Sequence, residues 1–186
     1  MSIKSFLATT ALVLAAGAAL AESHAANPMV GGAEMLATMN IVENAMNSAD
    51  HTTLVAAVAA AGLVDTLKSA GPFTVFAPVN DAFAALPAGT VETLLMPENI
   101  DQLTKILTCH VVPVAAMSEA IGGMIAADGG VHPVTTVGGC VLNLAMDGDV
   151  LTVTDETGGV ANVTIADVVQ SNGVIHVIDK VLLPAM

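Results

Sequence analysis

The apolar residues of this chain change their spacing once, near His110, and that change decides what it can fold into. Before His110 they recur every three or four residues, as one face of a helix does. After it they alternate or run in short β-branched blocks between turn pairs. A chain with helices first and strands later builds an α+β domain and not a series of βαβ units. At 186 residues it has the length for one domain. No repeat of roughly 20 to 50 residues is visible.

In the first half, Asn40 caps a helix over residues 41–47, and Asp50 or Thr52 caps a second one reaching Ala61. Leu54, Val55 and Val58 lie on one face of the second helix. Gly62 ends it, and Leu63, Val64 and Leu67 mark a third. Gly71-Pro72 opens a strand over 73–77, and Asn80-Asp81 caps a helix holding Ala82, Phe83 and Leu86. Residues 90–96 and 100–108 are two more helices, the last with Leu103, Ile106 and Leu107 at i, i+3 and i+4. In the second half, strands are predicted over 131–137, 141–145, 150–154, 161–169 and 173–181. Gly138-Gly139, Asp147-Gly148, Gly158-Gly159 and Asn172-Gly173 separate them, and Asp147-Gly148 marks the clearest hairpin.

Residues 1–21 read as an export signal. Lys4 precedes an apolar run over 6–20, and Ala19-Leu20-Ala21 is a small-residue cleavage site. The run of about 15 residues is short for a span, which needs about 20. No cysteine follows it and no second apolar segment appears, so no membrane anchor is expected. The mature chain starts at Glu22. Residues 22–39, with Asn27-Pro28, Gly31-Gly32 and scattered Met, read as a mobile arm before a domain over 40–186.

Charge and aromatic content exclude several functions. The whole chain has four lysines, no arginine and 17 acidic residues, a net charge of −13; loss of Lys4 makes the mature chain −14. Nucleic-acid binding needs cationic side chains to displace counterions and is excluded. Trp and Tyr are absent and Phe occurs four times, so stacking platforms for bases or sugars are missing. The core falls to Val, Leu, Ile, Ala and ten Met.

Two stretches carry a family resemblance. GPFTVFAPVNDAF at 71–83 resembles the first signature box of fasciclin I (FAS1) domains, through Phe73, Thr74, Phe76, Ala77, Pro78, Asn80 and Phe83. NGVIHVIDKVLLP at 172–184 resembles the second, through Asn172, Gly173, His176 and Asp179. ILTCHVVP at 106–113, with His110, resembles the central segment. The likeness spans roughly residues 40–184. It implies a FAS1-like fold, short N-terminal helices packed on a β-sandwich or wedge of short strands. It also implies adhesion at the cell surface or in extracellular matrix, through weak protein or polysaccharide contacts, and weak self-association. Some FAS1 relatives bind carotenoids, which makes an apolar carrier of carotenoid- or lipid-like molecules the alternative. Cys109 stands where the family usually has Tyr, so the integrin binding linked to that segment in animal relatives is not carried over. Val79 stands where Thr or Ser is usual, which removes a capping hydroxyl.

Both boxes also make local sense. Phe73, Val75 and Ala77 alternate with Thr74 and Phe76, and Pro78 disfavours helix at Ala77. Asn172-Gly173 supplies a turn with positive φ. Val174, His176 and Ile178 share one strand face and Ile175 and Val177 the other, so the last strand is central.

The chemistry-bearing residues are few. Export and an even cysteine count favour a Cys109–Cys140 disulfide, over free thiols and over a Cys2His2 metal site with His110 and His132. Such a site lacks the usual zinc-ligand spacing. His176 reads as a buried, hydrogen-bonded residue before it reads as a general base, because no nucleophile motif accompanies it. His24 and His51 carry no signal. Asp147-Gly148-Asp149 and Asp155-Glu156 read as hairpin tips in preference to calcium ligands. Asn162-Val163-Thr164 is a sequon placed mid-strand, and Met29, Met35, Met39 and Met46 are apolar filler in preference to a soft-metal site. No enzyme activity, metal or cofactor is expected. The location is the periplasm or the outside of the cell.

Overall fold

A computed structural model describes residues 27–185. The signal-peptide reading lies outside the described residues. Seven α-helices are described: α1 (Ile41–Asn47), α2 (Thr52–Ala60), α3 (Val64–Lys68), α4 (Asn80–Ala84), α5 (Thr90–Leu94), α6 (Ile100–Thr108) and α7 (Ser118–Ala127). A hairpin of β1 (Met29–Val30) and β2 (Ala33–Glu34) precedes them. The main sheet has β3 (Phe73–Pro78), β4 (Val111–Val112), β5 (Val131–Thr135), β6 (Val141–Asp147), β7 (Val150–Thr154), β8 (Val160–Gln170) and β9 (Gly173–Ile178). Their order is β4-β3-β9-β8-β7-β6-β5. The two boxes lie side by side, because β3 and β9 pair in parallel with Phe76 opposite His176. All other pairs in this sheet are antiparallel.

The sheet folds over along β8. This strand is 11 residues long. Its start pairs with β7 and its end with β9, with register shifts around Ile165. Asp167 in the irregular part has φ 59°. Such irregularity bends a strand and strengthens its twist. The bend leaves β3 and β9 covered on both faces. Val75, Ala77, Ile175 and Val177 join the core under α1–α6. Phe76 and Ile178 face a second core with Ile121 and Ile125 of α7 and Leu142, Leu144 and Val153 of the folded-over half. This is the wedge that the resemblance implies, with β9 central as the sequence predicts.

Several local expectations need correction. Residues 27–39 are no free arm: Val30 and Met35 are each only 2% exposed. Asn44 holds this segment through the Leu36 N–H (3.0 Å) and carbonyl (2.8 Å) and also bonds Gln170. Two buried apolar side chains in thirteen residues leave no period to read. Helix α7 was not foreseen, since Gly122-Gly123 at its centre weakens helical propensity and only Ile121 and Ile125 mark its buried face. Neither Asn172 nor Gly173 has positive φ. Gly173 is needed for another reason: a Cβ there would run into the Phe73 carbonyl.

Asn80 caps a helix, but not its own. Helix α4 starts after Val79 with no side-chain cap, as the missing hydroxyl predicts. The Asn80 Oδ1 accepts from the Thr53 N–H (3.0 Å) and the Thr52 hydroxyl (3.1 Å), and Nδ2 donates to the Ala49 carbonyl (2.8 Å). It therefore caps α2, which neither Asp50 nor Thr52 does. Asn80→Ala is expected to lower stability by about 1–2 kcal/mol, the usual effect of losing an N-cap. Urea denaturation tests this, and an unchanged midpoint would refute the assignment.

Candidate functional site

The polar side chains on the two paired box strands, Thr74 and His176, face inward and hold backbone. Thr74 on β3 is 1% exposed and His176 on β9 is fully buried. The Thr74 hydroxyl donates to the Val114 carbonyl (2.6 Å) and accepts from the Ala116 N–H (2.9 Å). His176 Nδ1 accepts from the Asp167 N–H (3.3 Å), so the proton sits on Nε2, which donates to the Ala116 carbonyl (2.9 Å). The Asp167 carboxylate accepts from the Ser118 N–H (2.6 Å) and hydroxyl, at the start of α7. Residues 114–118 are thereby clamped onto the β3–β9 pair. The Phe76 ring stacks on the His176 imidazole at 5.8 Å. Burial pushes the His176 pKa down, against the Ala116 carbonyl and the Asp167 charge. The ring is a neutral strut.

His176→Ala is therefore expected to lower stability by about 1–3 kcal/mol, through lost packing and unpaired backbone groups. A normal melting temperature with loss of a binding activity would instead make His176 a contact residue.

His110 plays the same part at the chain's end. It is 2% exposed. Nε2 accepts from the Leu182 N–H (2.9 Å), and Nδ1 donates to the Ile106 carbonyl (2.8 Å). Burial lowers its pKa to about 4, against the Ile106 carbonyl and the Asp155 charge. Beside it, Cys109 and Cys140 form a disulfide with Cα atoms 5.4 Å apart. His132 pairs with Asp128 at 2.6 Å. The two cysteines are thus bonded to each other and His110 and His132 are engaged by other partners, and no cluster suited to a metal occurs among the described residues.

Asn172 joins distant elements. Its Oδ1 accepts from the Ile41 N–H (3.1 Å), and its Nδ2 donates to the carbonyls of Leu67 (2.7 Å) and Ser69 (2.9 Å). The Asp179 carboxylate holds the Asn162 N–H (2.8 Å) and side-chain amide (2.7 Å), which engages the sequon asparagine.

Sequence reasoning missed the work of three acids and one histidine. Asp155 is buried and accepts from the Thr157 N–H and hydroxyl, the Gly159 N–H and the Leu183 N–H. Burial pushes its pKa up, but the hydrogen bonds from Leu183, Thr157 and Gly159 hold it below the usual value. Glu156 accepts from the Val141 and Ala185 N–H groups, which lower its pKa. Both stand in the turn between β7 and β8, as expected of hairpin tips, and from there they also latch the C-terminal segment. Asp167 gave no signal because its role depends on the β8 irregularity. His51, read as uninformative, is 3% exposed and bonds the Ser48 hydroxyl (2.9 Å). Burial lowers its pKa, against the Ala77 carbonyl and Asp50.

The described part also contains an apolar cleft of about 260 Å³ between α1–α3 and the sheet. Ile41, Val58, Leu67, Val75 and Ile175 line it.

A bent seven-stranded sheet with the two box strands paired in its interior, helices α1–α6 over one face of that pair and α7 against the other, defines the class: it is the architecture of a FAS1 domain. The structure of a FAS1 domain pair from the insect cell adhesion molecule Fasciclin I is similar, with a TM-score of 0.52 and 25% identity, over 68% of this chain and 42% of that one. A model of the fasciclin domain matches residues 49–184, and the chain belongs to the fasciclin domain family. Protein sll1483 of Synechocystis is 49% identical over 169 residues, 89% of this chain and 84% of that protein. Immunogenic protein MPB70 of Mycobacterium bovis is 35% identical over 179 residues, 90% of this chain and 81% of that protein. Transforming growth factor-beta-induced protein ig-h3 of Sus scrofa is 37% identical over 131 residues, 70% of this chain but 17% of that longer protein. The family is one of extracellular interaction and cell adhesion in general. No helix among the described residues is long and apolar enough to cross a membrane.

Proposed function

We propose that the chain is an exported, non-enzymatic fasciclin domain that mediates adhesion through weak surface contacts with a protein or polysaccharide. One observation carries this reading: Thr74, Asn80, His110, Asn172, His176 and Asp179 bond the domain's own backbone or side chains. The boxes build a frame, and contact falls to its outer surface. The adhesion molecule among its structural relatives supports the same reading.

A mature chain of formal charge −14 repels other anionic surfaces. One copy should bind with an affinity on the order of micromolar or poorer, and several copies together far better. High salt screens the repulsion and should leave binding intact, since the contact does not rest on basic residues. The test is adhesion of producing cells to immobilised protein covering residues 22–186, against a strain lacking the gene. Adhesion should rise with the density of the coat and fall in the deletion strain. Equal adhesion of both strains at every density would overturn the proposal.

A further inference from the structure

Helices α1, α2 and α3 do not close over the sheet. The cleft of about 260 Å³ beneath them reaches inward to Val75, Ala77 and Ile175. Its outer lining includes Met46, Ala59 and Lys68, all of them exposed. Interiors of this kind normally close-pack. Water is a poor filler here, because a buried water needs polar partners. The one imidazole in the lining, His110, has both nitrogens engaged elsewhere.

The charge at the mouth is selective. The chain has 17 acidic residues and four lysines, yet Lys68 lines the cleft and no acidic side chain does. Among the described residues Lys68 has no ion-pair partner. A cleft with aliphatic walls and one cation at its rim complements a molecule with one aliphatic chain and one anionic head.

We propose that this cleft binds a single-chain anionic amphiphile of the fatty-acid class. The alkyl chain lies between α1–α3 and the sheet, and the carboxylate meets the Lys68 ammonium. At the packing density of a protein interior, about 0.75, the cleft holds roughly 190 Å³ of ligand, about an alkyl chain of ten to twelve carbons. The site stands apart from the proposed adhesive surface and does not depend on it.

The test is calorimetric titration of delipidated protein covering residues 22–186 with laurate and, separately, with dodecanol, its uncharged counterpart. Laurate should bind at one site. In Lys68→Gln the ratio of laurate to dodecanol affinity should fall roughly fivefold, the effect of one partly exposed ion pair. Lys68 is exposed, so this variant should keep the melting temperature of the parent. Ala45→Phe, which places a ring in the cleft, should weaken both ligands at an unreduced melting temperature. Failure of laurate to bind, or an unchanged ratio in Lys68→Gln, would overturn the proposal. Dodecanol binding with that unchanged ratio would make the cleft a site for neutral apolar molecules.

Discussion

Lowering the pH from 7 to 4 will destabilise the folded domain by roughly 3 kcal/mol through His110 alone. The unfolded chain holds this imidazole at its ordinary value of 6.5, whereas burial in the fold lowers it to about 4. Between those values the unfolded state binds more protons than the folded state. Stability from the neutral ring is therefore complete above the unfolded value and is lost as pH falls through the folded one. His51 and His176 are shifted in the same direction and add to the loss. Asp155 and Glu156 are held below the usual carboxylate range, so their contribution disappears at still lower pH. When those carboxylates protonate, the latch on Leu183 and Ala185 goes with them. Urea denaturation at stepped pH, with the His110 ring followed by NMR, measures this. A flat midpoint from pH 7 down to 4.5 would contradict the neutral-strut assignment.

Replacing Cys109 and Cys140 together with Ala will lower stability by roughly 3–4 kcal/mol. Their sequence separation is 31, and closing a loop of that size restrains the unfolded chain by about this amount in the chain-entropy model. The bridge joins the end of α6 to the turn between β5 and β6. Gly138 also packs there, with its N–H on the Thr108 carbonyl at 3.0 Å. Both cysteines are buried, so the loss should exceed that of an exposed link. Two measurements check it: thiol titration of denatured, unreduced protein, which should find no free thiol, and the urea midpoint of the double variant. Two free thiols, or an unshifted midpoint, would end the claim.

Legibility in the sequence followed the range of each signal. Helix α6 was readable because Leu103, Ile106 and Leu107 repeat the helical period within nine residues. The β6–β7 hairpin was readable because Gly148, at φ 61°, is a local requirement of its turn. Helix α7 was obscured by its glycines. The capping role of Asn80 was legible as a type, but the helix it caps begins 28 residues earlier. His176 was legible as buried because apolar residues flank it on both faces. That it clamps residues 114–118 together with Thr74 was not, since those partners lie 60 and 40 residues from their anchors.

By itself, then, the sequence determined what acts over a few residues: the helical and strand periods, the turn positions, a core without Trp or Tyr, and an acidic surface. It also carried enough local pattern in its two boxes to show the family. The tertiary structure alone decided that the boxes pair in parallel, that β8 bends the sheet over them, and that Asp155, Asp167 and Asp179 act as backbone anchors. It alone left an aliphatic cleft beside Lys68. These features arise from contacts between residues far apart in the chain. Their loop-closure entropy is offset only when many such contacts form together, and no short stretch of sequence carries that cooperation.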